Sequence, residues 1–237
     1  MKKLLLAAWL CAGTLSTVYA QVGDTAAYLA GVKAELVKQW PKNRTINLVF
    51  HGHSVPSGYF RTPDVRTMDA YPIQVLAAVK ERFPNAVVNA ITTSIGGENS
   101  EQGEKRFKKD VLVHRPDVLF IDYALNDRGI GLERSRKAME KMIRLALKKH
   151  IPVILLTPSP DLQVDLLKDG NILEQHASQL KALAAQYKIG LADSYAAFKA
   201  VAAQGQPLKE LMAQSNHPNR QGHTLIAQQV LTYFGQL

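Results

Sequence analysis

Ser54 stands in the run His51-Gly52-His53-Ser54-Val55-Pro56-Ser57-Gly58, and His217 in Ser215-Asn216-His217-Pro218-Asn219. A hydroxyl and an imidazole are the pair that nucleophilic acyl transfer requires, the imidazole taking the proton as the oxygen attacks a carbonyl. That chemistry also needs donors for the oxyanion that develops. Two stretches offer them: Gly96 and Gly97 in Ser94-Ile95-Gly96-Gly97-Glu98-Asn99-Ser100 have unobstructed backbone N–H groups, and Asn126 in Ala124-Leu125-Asn126-Asp127-Arg128 has a side-chain amide. Each motif alone reads as a turn serine, a glycine bend, a helix cap or a surface histidine. Their value lies in convergence.

The elements that would position these residues follow from periodicity. Short β-branched and apolar runs at 46–50, 86–91, 118–123, 153–157 and 189–192 predict five strands. Helical spacing predicts helices over 24–40, 69–83, 100–114, 131–149 and 172–187, with further helical patterns to the end, the last carrying Ile226, Val230, Leu231 and Phe234. Strands alternating with amphipathic helices imply a parallel sheet covered on both faces, an α/β fold built as a three-layer α/β/α sandwich. Ligands of such sheets bind at the carboxyl ends of the strands. Ser54, Gly97 and Asn126 follow the first three strands, and His217 precedes the last helix.

These blocks resemble the SGNH hydrolase superfamily, also called GDSL-type esterases and lipases. Ser54 in Gly-His-Ser looks like the family's serine, Gly97 like its glycine, Asn126 in Ala-Leu-Asn-Asp like its asparagine, and His217 in Asn-His-Pro-Asn like its histidine. The resemblance covers most of the chain from His51 onward. It implies a flavodoxin-like five-stranded sheet, no metal or other cofactor, and hydrolysis of esters on carbohydrates, lipids or thioesters. Three positions depart from the family pattern: His53 replaces an aspartate before the serine, Ala124 a glycine, and Gln214 the acid three places before the histidine.

In the mechanism these residues suggest, Ser54 attacks, His217 is general base and then acid, and Ser54, Gly97 and Asn126 hold the oxyanion. A catalytic histidine needs an acceptor on its far nitrogen, ordinarily a carboxylate. Gln214 is the candidate here through its amide oxygen, with a backbone carbonyl or Asp193 as alternatives. His53, Arg128 and Arg220 are candidate substrate contacts, and Arg61 and Arg66 add charge after the nucleophile loop; an anionic group such as a uronate would suit them. Two rivals are a metallohydrolase using the His51-x-His53 spacing and a carbohydrate-binding protein on an esterase scaffold.

The first 20 residues, two lysines followed by an apolar run and Val18-Tyr19-Ala20, read as a cleaved signal peptide, with 21–237 as a single domain. The apolar run falls short of the ~20 residues that span a bilayer, so stable membrane insertion is not expected. Periplasmic or secreted residence favours an acetylated carbohydrate as the ester over a cytosolic thioester. Cys11, the only cysteine, lies in the leader, which rules out disulfides and thiolate chemistry in the processed chain. The formal charge is +9, but its basic residues are scattered among acids and not interleaved with aromatics, against a nucleic-acid partner.

Overall fold

Five short, largely apolar runs align as a fully parallel sheet, buried at its centre and half-exposed at the β2 edge: β1 (Thr45–Gly52), β2 (Val87–Thr92), β3 (Val118–Asp122), β4 (Val153–Leu156) and β5 (Gly190–Ala192). Their spatial order is β2-β1-β3-β4-β5. The computed structural model describes residues 23–235, so the expected leader at 1–20 lies outside the described residues.

Alternation along the strands divides the core in two. Leu48, Phe50, Phe120 and Ile154 point to a layer formed by α1 (Ala30–Leu36), α3 (Tyr71–Arg82), α7 (Ser194–Ala203) and α8 (Arg220–Leu231). Val49, Leu119, Ile121 and Leu155 point to the other, where α4 (Ser100–Asp110), α5 (Leu132–Leu147) and α6 (Ile172–Tyr187) pack. Phe50 and Phe120, partners in the β1/β3 register, stack with ring centroids 4.4 Å apart. The three-layer α/β/α expectation therefore holds, and burial on both faces explains why the central strands β3 and β4 read as continuous apolar runs.

The connection from β1 goes to one side and the approach to β3 comes from the other, which opens a crevice at the carboxyl ends of these neighbours. Between β1 and α3 lies the single-turn helix α2 (Ser54–Ser57). A two-stranded antiparallel hairpin, β6 (Met212–Gln214) and β7 (His217–Pro218), precedes α8. Both pieces are too short to carry a periodic signal, and His217 is therefore on a strand where a loop was expected.

The first helix is shorter than its expected 24–40. Asp24 accepts the Ala26 backbone N–H in a local turn, and Pro41 disfavours helical backbone at Trp40. Helix α6 matches its expected span, because an apolar stripe and the Asn171 cap agree. Among the described residues no helix is long and apolar enough to cross a membrane.

Candidate active site

The turn that carries Ser54 begins where β1 and β3 come too close for a side chain. A Cβ on Gly52 would collide with the Asp122 carbonyl, so the chain leaves the sheet at this point and turns into α2. His53 caps that turn: its Nδ1 accepts the Val55 N–H at 3.2 Å. Ser54 is the first residue of α2, so its own N–H stays outside the helix's hydrogen-bond ladder and is free to serve a ligand. Its side chain is 6% exposed.

His217 reaches Ser54 from the β6/β7 hairpin. Its Nε2 lies 3.0 Å from Ser54 Oγ and its Nδ1 lies 3.1 Å from the Phe60 carbonyl. A carbonyl can only accept, so Nδ1 carries the proton and Nε2 presents a lone pair to the serine. This is the tautomer a general base needs. Burial lowers the His217 pKa, the Phe60 hydrogen bond opposes that, and His53 lowers it further. The imidazole is thus held neutral below its ordinary range.

The loop after β2 is tied to the Ser54 turn by Ile95 N donating to the Gly52 carbonyl at 3.1 Å, and it carries Gly97 with φ of +77° and no neighbour within 4 Å of a Cβ position. Its conformation, rather than crowding, calls for glycine. A Cβ on Gly96 would collide with the Tyr59 ring, and Tyr59 in turn lies beside the His217 ring at 5.9 Å between centroids. Asn126 follows β3 and donates from Nδ2 to the Glu98 carbonyl at 2.9 Å, which leaves its second amide hydrogen for another acceptor.

Glu98 anchors this side from beneath. Its buried carboxylate receives Arg106 Nε at 2.7 Å, Arg106 Nη2 at 2.5 Å and the Tyr123 hydroxyl at 2.7 Å. His51 joins through Tyr123 at 3.1 Å and through the Gly103 carbonyl at 3.2 Å. Asp127, beside Asn126, accepts from Ser100 N at 2.8 Å and Ser135 Oγ at 2.6 Å, tying the loop to α4 and α5. Burial pushes its carboxyl up.

Several expected roles change. Gln214 does not accept the His217 Nδ1 proton: its Oε1 accepts Thr62 N at 3.0 Å and Thr62 Oγ1 at 3.3 Å. The Phe60 carbonyl fills that place, a residue no side-chain pattern could reveal. Asp193 is also remote from it, capping α7 and binding Thr157 and Lys181. His53 is no substrate contact, for it is fully buried. With Nδ1 accepting from Val55, its Nε2 bears the proton and faces Asp122 Oδ1 at 3.4 Å, off the line of a good hydrogen bond.

The arginines change as well. Arg128 is bound to Asp161 at 2.9 Å and to the Leu125 carbonyl, and Arg220 is exposed and paired with Asp69 at 2.7 Å. Both charges are answered within the protein. Arg61 instead donates to the Ala213 carbonyl, and Arg66 lies over the Phe60 ring at 3.6 Å. The His51-x-His53 spacing does not chelate, because His51 bonds Thr93, Gly103 and Tyr123 while His53 turns to Val55 and Asp122. Among the described residues no group of three or more His, Cys, Asp or Glu could hold a metal ion.

Solved structures share this architecture. A two-domain esterase active on acetylated mannans, co-crystallized with mannopentaose, aligns with 23% identity and a TM-score of 0.72 over 91% of this chain. The chain spans only 55% of that protein. A catalytic mutant of an acetylxylan esterase from Geobacillus stearothermophilus aligns with 19% identity and a TM-score of 0.69, covering 81% of this chain and 95% of the other. Catalytic mutants of that esterase replace a serine, a histidine and an aspartate three positions before the histidine. No curated protein matches this chain by sequence. The model of the GDSL-like lipase/acylhydrolase family matches residues 50–225, which carry the Ser54 turn, the Gly97 and Asn126 loops and the hairpin of His217, and the chain belongs to that family.

Proposed function

We propose that this chain is an exported serine esterase that removes acetyl groups from a carbohydrate through an acyl-Ser54 intermediate. The observation that carries the reading is His217 set between Ser54 Oγ and the Phe60 carbonyl, at 3.0 and 3.1 Å. Ser54 Oγ attacks the ester carbon as its proton passes to His217 Nε2. Charge moves to the carbonyl oxygen, where Ser54 N–H, Gly97 N–H and the free hydrogen of Asn126 Nδ2 receive it. Donors of this kind are each worth about 10²–10³ in rate. The tetrahedral intermediate collapses as His217 returns the proton to the departing alcohol. Water, deprotonated by the same imidazole, then releases acetate and restores the serine.

The Phe60 carbonyl performs part of a carboxylate's work. It fixes the tautomer and ring orientation, but brings no full negative charge to the imidazolium. The leader-like N-terminus supports export, and the fold shared with esterases of acetylated mannan and xylan supports an acetylated glycan as substrate. With Arg128 and Arg220 engaged by acids, Arg61 and Arg66 are the cations left on the Phe60 loop for an anionic sugar.

The deciding experiment is hydrolysis of p-nitrophenyl acetate and of acetylated xylan and mannan by residues 21–237, beside Ser54→Ala and with a chelator present. Activity that disappears with Ser54 and is indifferent to the chelator supports the reading. Inactivity on every ester would instead favour a carbohydrate-binding protein that has kept an esterase fold.

A further inference from the structure

The acceptor for His217 is a main-chain atom on a surface loop, so something must hold that loop in register with the imidazole. Residues 58–66 close on themselves: Arg66 N donates to the Gly58 carbonyl at 2.7 Å, Phe60 N to the Asp64 carbonyl at 2.9 Å, and Tyr59 bridges Val65. Those bonds shape the loop without fixing it to the histidine hairpin. The fixing contacts are Arg61 Nε to the Ala213 carbonyl at 3.0 Å and the two bonds from Thr62 to Gln214 Oε1. Thr62 N–H is a donor only, so the oxygen of the Gln214 amide must face it.

We infer that Gln214 is a positioning residue for the base: its amide oxygen holds Thr62, and Thr62 in turn keeps the Phe60 carbonyl, two residues earlier, aligned with His217 Nδ1. Gln214 stands three residues before His217, the place where the family pattern has an acid. In a serine triad the acid meets the imidazole itself. Here the side chain acts at one remove, across the β6/β7 hairpin to the neighbouring loop. The chemistry asked of it is a neutral acceptor of two donors, which glutamine supplies without placing a charge beside the buried histidine.

This inference rests on Ser54 and His217 being the reacting pair. The test is the pH dependence of p-nitrophenyl acetate hydrolysis by the full chain, for Gln214→Ala, Gln214→Glu and Thr62→Val. Gln214→Ala should lower kcat roughly tenfold at little change in KM, the effect expected of losing two exposed neutral hydrogen bonds that water partly replaces. Its acid limb should also move to lower pH, because the Phe60 bond raises the His217 pKa. Gln214→Glu keeps an oxygen for both donors and should hold kcat within a few-fold of wild type. Thr62→Val keeps the N–H and loses the hydroxyl, so it should shift both quantities the same way by less.

A purely structural role would lower the unfolding midpoint and leave the pH limb in place. Wild-type kcat and an unmoved limb in Gln214→Ala would overturn the inference, as would equal losses in Gln214→Ala and Gln214→Glu. Activity that survives Ser54→Ala would instead overturn the reading of the site itself, so the two failures are separable.

Discussion

The two walls of the crevice are built from different materials. On the wall proposed to hold the oxyanion, the oxyanion wall, Glu98, Arg106, Tyr123 and His51 form a network between β1, β3 and α4, and Asn126 is aimed by the main chain of Glu98. On the base wall, His217 is aimed by a surface loop that an exposed, neutral amide fastens. Buried charge pairs make a rigid wall that is costly to break, because each partner left alone is an unpaired charge in a low-dielectric setting. Exposed neutral bonds make a wall that can be altered with little loss of stability, since water replaces the missing partner. A site can therefore lose its carboxylate on the second wall and keep its geometry.

The largest effects test the pair common to both walls. Ser54→Ala should abolish acyl-enzyme formation, and His217→Ala should lower kcat by about 10⁴ or more, the scale seen when a triad member is removed. Organophosphonate labelling of wild type but not of Ser54→Ala would check the first, and single-turnover rates the second. Next comes the oxyanion wall: Asn126→Ala should cost about 10²–10³ in kcat with a small change in KM, since the donor is used chiefly in the transition state. A loss confined to KM would assign Asn126 to ground-state binding.

The walls part company on stability. Glu98→Ala takes the Tyr123 hydroxyl's acceptor away and leaves the half-buried Arg106 with only Asp110, at 3.6 Å, so the loss should fall below the about 3–5 kcal/mol of a fully buried, uncompensated pair. Urea denaturation should show that loss as a lower midpoint at unchanged slope. Gln214→Ala, by contrast, should leave the midpoint near wild type. Equal destabilisation by the two variants would erase the distinction between the walls.

This division also decided what the sequence could tell. The sheet, its layers and the order of the four blocks were legible because burial on both faces writes apolar runs, and because Ser54, Gly97, Asn126 and His217 are chemically distinctive at strand ends. Phe60 was not legible, since a carbonyl acceptor is independent of the side chain that accompanies it. His53 misled for a related reason: a histidine beside a nucleophile suggests contact with substrate, yet its ring turns inward to cap α2. Arg128 and Arg220 drew attention by position alone, and only the fold reveals Asp161 and Asp69 as their partners. Glu98 carried the most overlooked signal, an acid directly after two glycines whose basic partner, Arg106, lies two helical turns further on.

The smallest effect concerns acid. His51 under the oxyanion wall is lowered to about 4 and His223 under the base wall to about 3, both chiefly by burial. Each is neutral in its place: His51 Nε2–H donates to the Gly103 carbonyl, and His223 Nδ1 accepts from Tyr71 N. Their unfolded counterparts protonate near 6.5. Between about 6.5 and those lower values the unfolded chain binds more protons than the folded one, so stability is full above the window and falls as pH falls through it. The unfolding midpoint should accordingly decline from pH 7 towards pH 4, and His51→Gln should flatten that decline by removing one titrating group. The acid limb of kcat/KM should lie below 6.5 as well, because His217 is lowered by the same burial. It should reverse on neutralisation, whereas loss through unfolding follows the midpoint. An apparent pKa at or above 6.5 would mean that the base wall supports the imidazolium as a carboxylate would, and the contrast between the walls would fail on its main physical point.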